Sequence, residues 1–206
     1  YFRYRHMFPA LIHYWRERWG MGDLPFYFVQ LARFAGEPGA PSIDGTWPYV
    51  REAQAQALRL PNTGMAVALD VGESQNLHPE NKQAVGYRLA LQALEKTYKQ
   101  SVISDGPSCA GVQICGATVM VNYGNSEGLH ASGPLDGFEV AGADRAFFPA
   151  QATIRGTTVI LTSQHVAHPV AVRYAFADDP AHPLYNGADL PAVPFRTDDW
   201  PKAPIA

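Results

Sequence analysis

Residues 70–82 read Asp-Val-Gly-Glu-Ser-Gln-Asn-Leu-His-Pro-Glu-Asn-Lys and join an apolar run to a long amphipathic one. The run before them, Met65-Ala-Val-Ala-Leu69, has the length and apolar continuity of a buried strand, predicted over residues 65–71. After them, Ala84, Tyr87, Leu91, Leu94 and Tyr98 recur at helical spacing, and Lys96 and Lys99 suit the negative end of a helix. Proline fits the first position of a helix, where its missing N–H would be unpaired anyway. The spacing therefore predicts a helix over residues 79–98 with His78 as its N-cap. Strand, loop and helix in that order make one step of an α/β layer, and catalytic groups gather on loops at the carboxyl ends of such strands. His78 lies on such a loop with carboxylates at Asp70 and Glu73. On spacing alone, an exposed histidine serving as a weak cap is the preferred reading.

Working upstream, residues 47–60 return to helical spacing with Val50, Ala53, Ala57 and Leu58 inward. Pro25-Phe-Tyr-Phe-Val-Gln-Leu31 reads as a buried parallel strand ending at Gln30, an amide suited to anchoring a loop or to contacting a substrate. Phe8, Leu11, Ile12, Trp15 and Trp19 form the apolar stripe of another helix, starting or kinked near Pro9 and stopped by Gly20 and Gly22. The turn-rich residues 36–48 are long enough to be a functional loop. The first hundred residues thus read helix–strand–helix–strand–helix, an α/β pattern with parallel strands. Two strands cannot make a stable sheet covered by helices, so further strands are expected from elsewhere.

From Ser101 the texture changes. Residues 117–123, 138–140, 150–155, 157–163 and 170–176 are short β-like runs between Gly, Pro, Asn and Asp, a pattern that suggests an all-β sandwich. A proline-rich tail follows from Leu184 and is expected to take an irregular surface path. The division is therefore residues 1–100, α/β, and residues 101–206, all-β.

With 206 residues, 47% apolar and only 17% charged, the chain can bury a substantial core. A net charge of −3 without a basic cluster argues against nucleic acid, and no stretch approaches the ~18 apolar residues of a membrane helix. Cys109 and Cys115 form no Cys-x-x-Cys pair and cannot alone make a zinc site; free thiols are expected. No metal or cofactor is called for. The chain starts without methionine inside a helical pattern, which reads as a fragment or processed product and leaves its compartment open.

Seven blocks, in order, resemble the sialate O-acetylesterase family of SGNH-type carbohydrate esterases. They are FPALIHYWRERWG (8–20), PFYFVQLARF (25–34), WPYVREAQAQALRLPNTGMAVALDVGE (47–73), NLHPENKQAVGYRLALQAL (76–94), GPLDGFEVAGADRAFFPA (133–150), PVAVRYAFADDP (169–180) and LYNGADLPAVPFRTDDW (184–200). The resemblance implies the C-terminal part of an SGNH-like parallel-sheet layer followed by a β-sandwich-like region. It implies removal of O-acetyl groups from sialic acids, by a serine that the family carries in a Gly-Gln-Ser-Asn block. That block has no match here, nor has the family's Gly-Glu-Ser-Asn block, so the serine is expected on a missing N-terminal segment or partner chain. The family's base, the histidine of an Ile/Leu-His-Pro block, matches His78 in Leu77-His78-Pro79. Where such enzymes commonly place an aspartate three residues before this histidine, Gln75 stands instead. Asp70 is then the first choice for orienting the imidazole, with Glu73, a backbone carbonyl or a bare serine–histidine dyad as alternatives. Gln30 becomes a candidate substrate contact. Ser74 is excluded as nucleophile because it shares the loop of His78. The expected partner is an O-acetylated sugar, and the resemblance suggests a periplasmic or secreted protein.

A different class of reading is a non-catalytic carbohydrate-binding or interaction module, favoured by the absent nucleophile block and an aromatic content of 12%. Within the enzyme class, an acetylxylan-type esterase would use the same chemistry.

Overall fold

In the structure, a computed structural model that describes residues 3–36 and 45–202, the first helix (α1) spans Tyr4–Trp19. It begins before the expected start near Phe8, and Pro9 lies inside it. So close to the amino end, the N–H that proline lacks removes only one bond of the first turns. The helix ends at Gly20, whose left-handed φ of 64° lets its N–H reach Arg16 and Glu17 carbonyls. The buried face differs from the expected stripe. Phe8, Ile12 and Arg16 are inside, whereas Leu11, Trp15 and Trp19 are 44%, 43% and 58% exposed. Arg16 turns inward because backbone carbonyls receive its guanidinium: Nε donates to Leu24 O at 2.9 Å and Nη2 to Pro61 O at 2.7 Å. Those bonds offset the cost of burying a cation.

Strand β1 (Phe26–Gln30) and strand β2 (Thr63–Val67) run parallel, Phe26 opposite Thr63 and Gln30 opposite Val67. Between them lies α2 (Trp47–Gln56), continued by a 3₁₀ turn at Ala57–Arg59. β2 is buried throughout, and Ala68 and Leu69 beyond it stay buried. Phe8 of α1 meets Phe28 of β1 edge to face, ring centroids 4.9 Å apart. The functional loop expected over residues 36–48 falls mostly on residues 37–44, outside those described.

Helix α3 (Lys82–Lys96) starts three residues later than the spacing implied, and its N-cap is Asn81, whose Oδ1 accepts from the Ala84 N–H at 3.2 Å. His78 is therefore not a cap. The apolar stripe is corrected too: Tyr87 and Tyr98 are 63% and 68% exposed, while Arg88, Leu91 and Gln92 are buried. The polar pair faces inward because each finds carbonyl and carboxylate acceptors there, Arg88 on Val67 and Asp70, Gln92 on Ser104 and Asp105.

The chain divides into two units, Tyr1–Asp105 and Gly106–Ala206. The second is all-β. One antiparallel sheet has the order β3 (Ser108–Cys115), β4 (Thr118–Gly124), β9 (Thr158–Thr162), β8 (Gln151–Arg155). Another runs β12 (Phe195–Arg196), β10 (Ala171–Tyr174), β6 (Phe138–Ala141), β7 (Phe147–Pro149), and β5 (His130–Ala131) pairs with β11 (Leu184–Tyr185). Alternation places Val119, Val121, Val159 and Leu161 on one buried face. Phe138, Val140, Val172 and Tyr174 are buried in the other four-stranded sheet. The tail from Leu184 is no surface wrap: it supplies β11 and β12 and buries Leu184, Leu190 and Ala192. Backbone pairing carries it inward, since Ala192 N donates to Leu184 O and Val193 N to Pro107 O. Cys109 and Cys115 are free thiols near opposite ends of β3, and burial pushes the Cys109 thiol up from its usual range. Among the described residues no helix is long and apolar enough to cross a membrane.

Candidate functional site

His78 lies on the loop between β2 and α3, exposed, and among the described residues its imidazole makes no hydrogen bond or ion pair. What holds it is the backbone around it. The His78 N–H donates to Asn76 Oδ1 at 2.9 Å, an Asx turn that fixes the chain two residues after Asn76. The Asn76 amide in turn donates from Nδ2 to Glu73 Oε2 at 2.9 Å. The other oxygen of Glu73, Oε1, accepts from the Glu80 N–H at 2.7 Å, closing the loop across His78 and Pro79. The Glu80 N–H, then the Asn76 amide, with a smaller contribution from Lys82, hold the Glu73 carboxyl below the usual glutamate range. Glu73 is thus the clasp of the loop.

A second segment braces this loop from the end of β1. Arg33 Nε donates to Gly72 O at 3.1 Å, and the Ala35 N–H donates to Ser74 O at 2.8 Å. Gly72 is required here by proximity. A Cβ on it would stand 2.5 Å and 2.6 Å from the backbone N and O of Arg33.

That bracing segment is itself anchored by α2. Fully buried Arg51 donates from Nε to Leu31 O at 2.9 Å and from Nη2 to Ala32 O at 2.7 Å. The Gln54 side chain accepts from Leu31 N–H at 2.9 Å and donates to Val29 O at 3.3 Å, pairing with β1 as a neighbouring strand's peptide would. The REAQ run in α2 therefore fixes the carboxyl end of β1, and through it the His78 loop.

Two expected site residues are placed differently. Asp70 does not hold the imidazole. Its two oxygens accept from Arg88 Nη1 and Nη2, each at 2.6 Å, in a bidentate pair at the end of β2. Gln30 lines no open cleft. It is completely buried, and its Nε2 donates to Arg51 O at 3.1 Å. Its Oε1 has no partner among the described residues. Sequence reasoning missed Asn76, Arg33 and Arg88. For Asn76 a signal existed: an asparagine two residues before an exposed backbone N–H is the pattern of an Asx turn. For the two arginines none did, since their partners are backbone carbonyls and a carboxylate brought close only by folding.

No family model matches the chain. The sialate O-acetylesterase of Homo sapiens is 28% identical over 93% of this chain, a match covering 42% of that protein. The sialate O-acetylesterase of Mus musculus is 28% identical over 93% of the chain and 40% of its own length. A crystal structure of a carbohydrate acetylesterase from Xanthomonas citri superposes with a TM-score of 0.88 at 40% identity, over 96% of this chain and 46% of that one. The chain spans less than half the length of the relatives it matches. Across nearly all of its own length the chain is similar in sequence to these sialate O-acetylesterases and in fold to a carbohydrate acetylesterase.

Proposed function

We propose that this chain is part of a serine esterase that removes O-acetyl groups from sialic acids, with His78 as its general base. The observation that carries this is the pairing of an unengaged, exposed imidazole with a loop fixed on both sides of it, in a chain related to carbohydrate acetylesterases. In this reading residues 1–105 belong to an SGNH-like α/β layer and residues 106–206 form a β-sandwich-like accompaniment. The nucleophilic serine lies on polypeptide outside these 206 residues.

Unprotonated His78 takes the hydroxyl proton as that serine attacks the acetyl carbonyl. It then returns the proton to the departing sugar hydroxyl, leaving an acetyl-enzyme. In the second half, His78 takes a proton from water, hydroxide adds to the acetyl carbonyl, and acetate leaves as the serine regains its proton. With both Asp70 oxygens on Arg88, the reading favours a serine–histidine dyad in which Asp70 stiffens the strand end and Asn76 and Glu73 hold the loop. Gln30 supports Arg51 from below.

The test is reconstitution with a serine-bearing segment and assay of acetate released from O-acetylated sialic acid and from acetylated xylan. Turnover on the sialic acid is expected, with His78→Ala slowing it by about 10²–10⁴-fold. The chain alone should show none. Undiminished turnover in His78→Ala would sink the role, and preference for acetylated xylan would move the substrate.

A further inference from the structure

A groove of about 450 Å³ lies between α1 and the end of α2, lined by Arg5, His6, Pro9, Gln56, Arg59 and Leu60. None of these residues belongs to the His78 loop or to the segment that braces it. The polar lining is of one kind. Two guanidinium groups, an imidazole and an amide line the groove, and among the described residues no carboxylate does. Other arginines of this unit are already engaged: Arg16, Arg51 and Arg88 are buried on backbone carbonyls. Arg59 is different. It is exposed, and among the described residues neither its guanidinium nor the side chains of His6 and Gln56 make a hydrogen bond or ion pair. The start of α1 adds to the positive charge. Its first turn has no acidic residue and its N-cap makes no side-chain bond, yet Arg5 and His6 stand there. The amino end of a helix favours anions, so cations at this end are held against the helix dipole.

We infer that this groove binds a small molecule carrying a carboxylate or a phosphate. The inference stands on the groove and does not rest on the esterase reading above. The Arg59 guanidinium presents paired N–H donors that match two oxygens of either group. Arg5 adds a second positive charge to the same groove, and the His6 ring and the Gln56 amide serve further oxygens or hydroxyls of the ligand. Pro9 and Leu60 give its carbon body an apolar wall. A bound anion would relieve the crowding of cations at the start of α1, and the same crowding excludes a cationic ligand. The volume suits a whole small molecule, since such sites run from roughly 300 Å³ upward.

The experiment is a nuclear magnetic resonance titration of the 206-residue chain at low salt and fixed pH. The probes are inorganic phosphate, N-acetylneuraminate and uncharged N-acetylglucosamine, and the signals followed are Arg59 Nε–H, the Gln56 side-chain amide and the His6 ring. Phosphate, N-acetylneuraminate or both should shift these signals to saturation, and the tighter binder identifies the oxyanion. N-acetylglucosamine should leave them in place. Arg59→Gln should weaken binding of that anion about tenfold, through loss of a charge-assisted pair. Arg155→Gln removes an equal charge from an exposed position in the second unit and should change binding less than about twofold. Both positions are exposed, so the amide spectrum away from each substitution should match the parent. Failure of both anions to give saturable shifts would overturn the inference. So would equal weakening by the two substitutions, the mark of diffuse attraction, or equal shifts with the uncharged sugar.

Discussion

Asp70 and Arg88 meet through two parallel hydrogen bonds of 2.6 Å, and the same guanidinium reaches Val67 O at 2.7 Å. One arginine on α3 therefore closes the carboxyl end of β2, immediately before the loop that carries His78. The side chains are only 9% and 13% exposed, so the pair works with little screening by solvent.

Arg88→Met should destabilise the first unit by about 3 kcal/mol, because it strands the Asp70 carboxylate in a poorly solvated position. Urea unfolding followed by the fluorescence of Trp15, Trp19 and Trp47 reads this unit. The double variant with Asp70→Asn should recover much of the loss. If the single variant unfolds within 0.5 kcal/mol (about a twofold change in equilibrium constant) of the parent, the pair is not what fixes the strand end.

Gln54→Leu removes an amide that serves Val29 O and Leu31 N–H together. A loss of about 2 kcal/mol is expected, from two backbone groups left without partners. Hydrogen exchange at the Leu31 amide should quicken in step. In the reconstituted enzyme, acetate release should fall through displacement of the His78 loop, and kcat should suffer more than KM.

Glu73 gives the loop a defined pH limit. Its folded carboxyl titrates below its unfolded value, so its contribution is complete above the ordinary glutamate range and is lost as pH falls through the lower, folded value. The Glu80 amide resonance should titrate together with the Glu73 carboxyl, and Glu73→Gln should abolish that step. A Glu80 amide indifferent to the substitution would remove Glu73 from the clasp.

In the second unit Asp198 has no exposed side-chain surface and accepts from Arg173 at 2.8 Å through both oxygens. Burial raises its pKa, but Arg173 and Arg196 outweigh that and hold the carboxyl below the usual range. Stability from this group is therefore present at neutral pH and lost as pH falls through the folded value. Asp198→Asn should cost about 3 kcal/mol at neutral pH and flatten the acid limb of the unit's stability profile. Near-ultraviolet circular dichroism of the tyrosine-rich core would follow it.

The helices and strands of the first unit were legible because apolar periodicity and Gly/Pro punctuation are local properties. Most longer strands of the second unit were legible for the same reason. Which helix face turns inward was not. Arg16, Arg88 and Gln92 lie outside the apolar stripes that the spacing marks, and they are buried because carbonyls and carboxylates from distant positions converge on them. Trp15 and Trp19 read as core, and they line an open groove because nothing among the described residues covers them. The short strands of residues 184–200 lacked any periodic signal, since two-residue pairings leave none.

His78 was visible in the sequence as a histidine before a proline, after a strand and within a family block. The sequence alone determined that it lies on a loop leaving the carboxyl end of a parallel strand, because strand length and apolar continuity are written locally. Tertiary structure decided what holds that loop. The clasp is Glu73 and Asn76, the brace is Arg33 with Gly72, and Asp70 belongs to Arg88. Hydrogen-bond partners are chosen by three-dimensional proximity, and a carboxylate eight residues before a histidine goes to whichever cation the fold brings nearest.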